Sequence, residues 1–187
     1  MLEFWQNIKL LMINPPKAWR QIRKQEQSFK DVFFKKVLLI IAVTTLCRFV
    51  GESLSTANTA SFLYIFLDSF LFFVYNVLAF YVLSLILNAI LPNYGSKKNI
   101  AKVSNLLIYS LTLYYFVISI ASLFPSLLFL YILPIYCFFI LWYGVQQMLN
   151  LHEEGKLGYY IITVILMIGI YTIFYFVIKK ALLSLIV

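Results

Sequence analysis

The stretch FLYIFLDSFLFFVYNVLAFYVLSLILNAIL, residues 62–91, decides the fold class of this chain. Asp68 is its one charged side chain, and the residues around it are almost all aliphatic or aromatic. A helix needs about 20 mostly apolar residues to cross the hydrocarbon core of a bilayer. The stretch is therefore long enough to span a membrane, and its extra length implies tilt or extension into the interface.

The composition of the whole chain agrees with lipid as the solvent. Of 187 residues, 63% are hydrophobic and 12% are charged, whereas soluble domains average roughly 45–50% and about 25%. Gly and Pro are too few, at 6 and 5, for a collagenous or linker-like chain. The composition excludes a soluble globular protein.

Further apolar runs on either side of residues 62–91 predict more spans. The complete set is about 37–56, 62–91, 103–124, 126–149 and 159–178. We therefore expect an all-α fold, a polytopic transmembrane bundle of five helices occupying residues 37–187.

Residues 1–36 form a basic, amphipathic segment before the first span. Leu2, Trp5 and Ile8 recur at helical spacing in a run too short to span, which predicts a helix lying along the membrane interface. Asn14 followed by Pro15 is a suitable N-cap and first helical position for a second helix, over about residues 15–30.

The basic residues indicate the orientation of the chain. Eight of the 15 lysines and arginines lie in residues 1–36, directly before the first span, so their position indicates membrane topology and no nucleic-acid partner. With this segment in the cytoplasm, the loops carrying Lys97, Lys98, Lys102 and Lys156 also lie inside. The prediction is a cytoplasmic N-terminus and an external C-terminus.

The same residues are candidates for binding anionic lipid or a protein partner on the cytoplasmic side. The candidate set is Trp5, Lys17, Trp19, Arg20, Arg23, Lys24, Lys97, Lys98 and Lys102. In the second N-terminal helix, Trp19 and Ile22 form an apolar stripe among basic residues, as in a helix facing anionic lipid or a partner. A basic retention signal with no ligand is the equally weighted alternative.

Three ionisable residues fall inside the apolar runs. Arg48 and Glu52 are four apart on one helix and share a face, and the depth of Asp68 in the next span places it in the same outer half of the bilayer. We predict that the three form a polar cluster, because ionised groups in hydrocarbon need partners. A staple between two helices is favoured over a proton or ion relay, which would make the protein a small transporter or channel.

Catalytic signals are lacking. The sequence contains no nucleophile elbow, P-loop, HExxH or dinucleotide fingerprint, and Cys47, Cys137 and His152 have no metal-ligand spacing. We therefore expect no enzyme activity and no cofactor, and the pattern does not indicate an oligomeric state.

Three short motifs carry a family resemblance. The stretch LLMINPPKAWRQI, residues 10–22, resembles the N-terminal signature of bacterial members of the Yip domain family, the Ypt-interacting proteins. Residues 141–149, LWYGVQQML, followed by Gly158-Tyr159-Tyr160, are similar to the exit of the family's fourth span and the entry of its fifth, and Tyr109-Ser110 matches a further motif.

The resemblance covers nearly the whole chain and implies a five-span protein of the bacterial inner membrane with a cytoplasmic N-terminus and no enzyme activity. The family usually has prolines shortly after the Tyr109 position and near Gln146, which this chain lacks, so straighter third and fourth spans are expected. The Asp-Leu-Tyr-Gly-Pro motif of the eukaryotic branch is also missing, so its GTPase binding is not transferred. The leading hypothesis is a membrane interaction or membrane-organising module.

Overall fold

A computed structural model describes the backbone of residues 2–55 and 61–186 and the side chains of residues 3–55 and 61–180. Within those ranges the chain is helical and has no strand. Two short helices, α1 (Leu2–Ile13) and α2 (Pro15–Arg23), precede five longer segments. The longer segments are α3 (Phe29–Ser55), α4 (Phe62–Ile90), α5 (Ile100–Leu123), α6 (Ile135–Met148) and α7 (Glu153–Ile186).

The five segments are long and apolar enough to cross a membrane, once α4 is extended by the 3₁₀ turn Leu91–Tyr94 and α6 by the turn Leu128–Ile132. The predicted all-α bundle with five spans is confirmed. Apolar side chains cover most of the outer surface, as expected where lipid replaces water.

The first span begins earlier than predicted. Helix α3 starts at Phe29, with Ser28 as its N-cap, instead of at residue 37. The helix extends beyond the apolar run because Lys30, Asp31, Lys35 and Lys36, which make its first two turns polar, have a helical backbone. The predicted end at residue 56 lies outside the described residues.

A π-helical turn, Phe33–Val37, interrupts the α-helical pattern near the start of α3. Such a turn inserts one residue into the helix and changes which side chains face the interior. Both Lys36 and Val37 are buried there.

Helix α5 is the centre of the bundle and packs against α3, α4 and α6. Its buried residues include small polar ones, such as Ser104, Ser110 and Thr112, which permit close packing of helices in lipid. Helix α7 packs against α4 and α6. Helix α5 is unbroken, whereas the fourth span changes from a 3₁₀ turn to an α-helix near Pro134.

The N-terminal helices lie against the bundle. Asn14 caps α2 as predicted, accepting a hydrogen bond from the Lys17 amide at 3.1 Å. Helix α2 ends at Arg23, short of the predicted residue 30, and residues 25–28 are not helical. It packs along α6, and α1 packs on α2.

Candidate functional site

Helix α2 is fixed to the bundle by Trp19, which has no exposed surface. Its indole Nε1 donates a hydrogen bond to the Ile140 carbonyl of α6 at 2.9 Å. Gly144 provides the space for the ring, since a Cβ there would lie 2.7 Å from Cζ2 of Trp19. The expectation that Trp19 faces lipid or a partner is wrong, because the apolar stripe of α2 is buried against its own α6.

The arginines of α2 also contact the end of α6. Arg20 Nε lies 3.4 Å from Gln147 Oε1. Arg23 donates to the Gln147 carbonyl at 3.1 Å and to Asn150 Oδ1 at 2.6 Å. Both side chains remain exposed, so these hydrogen bonds hold cationic groups in place at the surface.

Two adjoining clefts open at this end of the bundle, where α2, the turn after α4 and the start of α5 meet. The first has a volume of about 550 Å³ and contains Arg23, Lys24 and Lys102. The second, of about 610 Å³, contains Lys97, Lys98 and again Lys102. We call the two together the basic cleft, defined by Arg23, Lys24, Lys97, Lys98 and Lys102.

The basic cleft is strongly positive. Glu26 is its one acidic lining residue, set against five basic ones. Among the described residues, none of the ion pairs includes a lysine of the cleft. Backbone geometry shapes one wall, since Gly95 has a left-handed φ of 83° that ends the turn after α4.

The other predicted binding residues lie outside the basic cleft. Trp5 is 47% exposed on α1 and borders a small apolar cavity beside α3. Lys17 is exposed at the start of α2 and lines neither part of the basic cleft. The structure therefore brings five of the seven predicted cationic residues together in the basic cleft and leaves Lys17 and Arg20 outside it.

The intramembrane cluster is assembled as the sequence predicts. Arg48 Nη2 lies 2.8 Å from Glu52 Oε1 and 2.7 Å from Asp68 Oδ2. The guanidinium also lies over the ring of Phe72, with Cζ 4.8 Å from the centroid. Because Arg48 and Asp68 belong to different helices, the cluster ties α3 to α4.

A cavity of about 30 Å³ adjoins this cluster, bordered by Tyr75, Tyr175 and Lys179 as well as Arg48 and Asp68. That volume is sufficient for one water molecule. Arg48 Nε, which is buried and has no hydrogen-bond partner among the described residues, is a suitable donor to such a water. The arrangement fits a hydrated ion-pair staple between two helices.

Sequence reasoning missed a second buried cation. Lys36 is 6% exposed and donates to Asn105 Oδ1 at 2.8 Å and to the Tyr109 hydroxyl at 3.3 Å. The hydroxyl also accepts a hydrogen bond from Asn7. In the sequence Lys36 looks like any other basic residue that flanks a span. No feature of the sequence predicts the π turn that buries it.

The residues of the described ranges include no group of three or more His, Cys, Asp or Glu side chains that could hold a metal ion. His152 packs instead against the turn after α4: its amide donates to the Tyr94 carbonyl at 3.2 Å, and its ring occupies the space beside Gly95.

The three motifs that carried the family resemblance meet in space. Trp19 of the first motif rests on Gly144 of the second, and its ring is 6.0 Å from that of Tyr109, the third. Tyr159 of the fifth-span entry packs against Tyr94, with ring centroids 5.5 Å apart. The motifs therefore form the contacts that hold α2 against α6 and the turn after α4 against the start of α7.

The family model for the Yip1 domain matches residues 9–176. Neither the curated proteins nor the solved structures contain a match to the chain. The matched region extends from α1 through most of α7 and includes all three motifs. This chain, an integral membrane protein with five candidate spans, therefore belongs to the Yip1 domain family, a family of non-enzymatic membrane proteins.

Proposed function

We propose that this protein is a non-enzymatic membrane-organising module whose basic cleft binds anionic lipid headgroups at the cytoplasmic surface. The observation that carries the proposal is the convergence of Arg23, Lys24, Lys97, Lys98 and Lys102, from three separate segments, on one end of the bundle. Family membership supports a membrane role without catalysis.

The charge balance of the basic cleft favours an anionic ligand. Each basic side chain near an anionic membrane surface contributes about 1 kcal/mol at physiological ionic strength. Five cations opposed by Glu26 alone give a local excess of positive charge. Hydrogen bonds to Gln147 and Asn150 already order the Arg23 side chain. Binding a ligand therefore costs less side-chain conformational entropy.

The orientation belongs to the same proposal. The basic cleft faces the cytoplasm, so the N-terminus is cytoplasmic and, after five spans, the C-terminus is outside the inner membrane. The positive-inside rule supports this arrangement, because the lysines and arginines near the ends of α2, α4 and α5 lie at one end of the bundle.

The test measures lipid binding by the whole chain in detergent. The protein is stripped of lipid, mixed with phosphatidylglycerol and analysed by native mass spectrometry. In one variant Lys97, Lys98 and Lys102 are changed to Gln. We expect binding to weaken more than tenfold, since three charges that contribute about 1 kcal/mol each together exceed the roughly 1.4 kcal/mol that corresponds to a factor of ten.

The matched control changes Lys9, Lys17 and Lys30 to Gln, three exposed lysines that do not line the basic cleft. Both variants carry the same net charge. An equal loss of binding in the two would show a diffuse charge effect and contradict the proposal, as would unchanged binding in the cleft variant. Crosslinking in native membranes is the second arm: a protein lost only from the cleft variant would identify a protein partner in place of lipid.

A further inference from the structure

Lys36 is a buried cation whose charge is not neutralised within the described part of the chain. Its Nζ contacts neutral oxygens, of Asn105 and Tyr109, and lies 4.5 Å and 5.5 Å from the ring centroids of Tyr109 and Phe4. None of the ion pairs among the described residues includes it. A buried ammonium without a counter-ion is costly, so this site is suited to receive an anion.

A cavity of about 480 Å³ opens beside Lys36, between α1 and the start of α3. Its ionisable lining residues are Glu3, Asp31, Lys35 and Lys36. Lys35 and Asp31 neutralise each other, with Nζ and Oδ1 2.6 Å apart. One positive and one negative side chain, Lys36 and Glu3, remain to face a ligand, which is the complement of a zwitterion.

A second, apolar cavity of about 80 Å³ lies beside the first along α3. Leu39 lines both cavities, and Val43 and Phe116 lie farther along the apolar one. At about 1.5 Å per residue, Val43 is about 10 Å beyond Lys36 along the helix. A cavity with charged and aromatic lining at the start of a span thus lies next to an apolar cavity farther along the same helix, and Leu39 borders both.

We propose that these two cavities bind a single glycerophospholipid with a zwitterionic ethanolamine headgroup. The phosphate accepts hydrogen bonds from Lys36, the ammonium lies at Glu3, and one acyl chain follows Leu39 and Val43. This site adjoins the basic cleft, with which it shares Gln25 and Gln27 as lining residues, but uses different charged side chains. It goes beyond the proposed function, since it selects one neutral lipid molecule by its shape and charge pattern.

The two cavities distinguish this ligand from its nearest relatives. A free phosphate would leave the apolar cavity unused. An anionic phospholipid without an ammonium group would place no cation at Glu3. The Glu3 carboxylate would then repel the negatively charged headgroup. Both features therefore favour a lipid that carries a phosphate, an amine and an acyl chain.

The experiment uses the whole chain in detergent, offered equal amounts of phosphatidylethanolamine and phosphatidylglycerol with the same acyl chains. Native mass spectrometry counts the lipids retained per chain. We expect one retained phosphatidylethanolamine, and about tenfold weaker binding in the Lys36→Met variant, because one charge-assisted hydrogen-bond donor is lost. Lys30→Met, which removes an exposed lysine outside the cavity, is the matched control and leaves retention unchanged.

Two further variants separate the parts of the site. Glu3→Gln is expected to abolish the preference for phosphatidylethanolamine over phosphatidylglycerol. Leu39→Trp adds a bulky ring at the residue that borders both cavities and is expected to prevent retention while Lys36 is intact. It tests the site independently if Lys36→Met does not fold. Soluble glycerophosphoethanolamine, which lacks acyl chains, competes only weakly.

Retention of phosphatidylethanolamine at wild-type affinity by a folded Lys36→Met or Leu39→Trp variant would overturn the proposal. So would equal retention of the two lipids by the variant in which Lys97, Lys98 and Lys102 are Gln, because that variant lacks the phosphatidylglycerol-binding charges of the basic cleft. The basic-cleft variant at Lys97, Lys98 and Lys102 keeps its phosphatidylethanolamine, so failure of this site and failure of the proposed function give different results.

Discussion

Replacing Trp19 by Ala tests whether α2 is part of the packed bundle. Truncating a large buried aromatic side chain typically costs about 3–5 kcal/mol through lost burial and the cavity left behind. Trp19 has no exposed surface and also loses its 2.9 Å hydrogen bond to Ile140, which is worth about 1 kcal/mol. Gly144, which faces the notch, has no side chain to refill it, so we expect a loss of about 4–5 kcal/mol.

The same substitution at Trp5 is the matched control. Trp5 is 47% exposed, and its truncation removes little packed surface, so a cost of about 1 kcal/mol is expected. Trp19→Phe keeps most of the ring contact and removes the donor, which isolates the hydrogen bond at about 1 kcal/mol.

Thermal unfolding of the purified protein in detergent measures both variants. For a chain of this length about 1 kcal/mol shifts Tm by about 2–4 °C. Trp19→Ala should therefore lower Tm by about 10 °C or more, and Trp5→Ala by about 3 °C. Limited proteolysis should also cut Trp19→Ala faster in residues 24–28, because α2 is released from α6. Equal shifts in the two alanine variants would refute the packed arrangement and return Trp19 to the membrane surface.

Three other substitutions follow from single contacts. Gly51→Ala places a Cβ against the backbone of α5 and should cost about 2–3 kcal/mol by overpacking, measured by thermal unfolding, whereas Gly169→Ala, in open space, should be neutral or stabilising. Asp68→Asn weakens the ion pair with Arg48, which is partly exposed, and should cost about 2 kcal/mol while proton flux in liposomes stays at background; a lost flux with unchanged Tm would instead support a transporter. Gly95→Ala forces a side chain into a left-handed φ of 83° and should cost about 1–2 kcal/mol, with amide hydrogen exchange rising in the turn after α4.

The polar cluster shows what a sequence can predict about a site in lipid. Arg48 and Glu52 share a face by helical spacing, and Asp68 lies at the same depth in the next span. Because an unpaired charge in hydrocarbon is costly, few arrangements of the two helices other than one that pairs these three side chains are favourable. The residues of the basic cleft were predicted in a similar way, but the cleft itself was not. Its cations were identified from their position beside the spans, but their grouping required the packing of α2 on α6.

Trp19 shows where the same reasoning failed. An apolar stripe on a basic helix is equally suited to a lipid surface and to a neighbouring helix, because both are apolar. The stripe packs on a neighbouring helix because Gly144, more than a hundred residues away in the sequence, leaves space for the Trp19 ring. Local periodicity contains no information about that pairing.

The sequence by itself determined the class of protein, the five spans and the end of the bundle that carries positive charge. The reason is that the length of an apolar run and the position of basic residues beside it can be read from the chain without knowing which helices contact each other. Tertiary structure alone decided which apolar faces meet lipid and which meet helices, and it buried Lys36 beside Asn105 and Tyr109. The physical reason is that in an apolar solvent hydrophobicity no longer distinguishes inside from outside. Close approach at glycines and hydrogen bonds between distant side chains make that distinction instead.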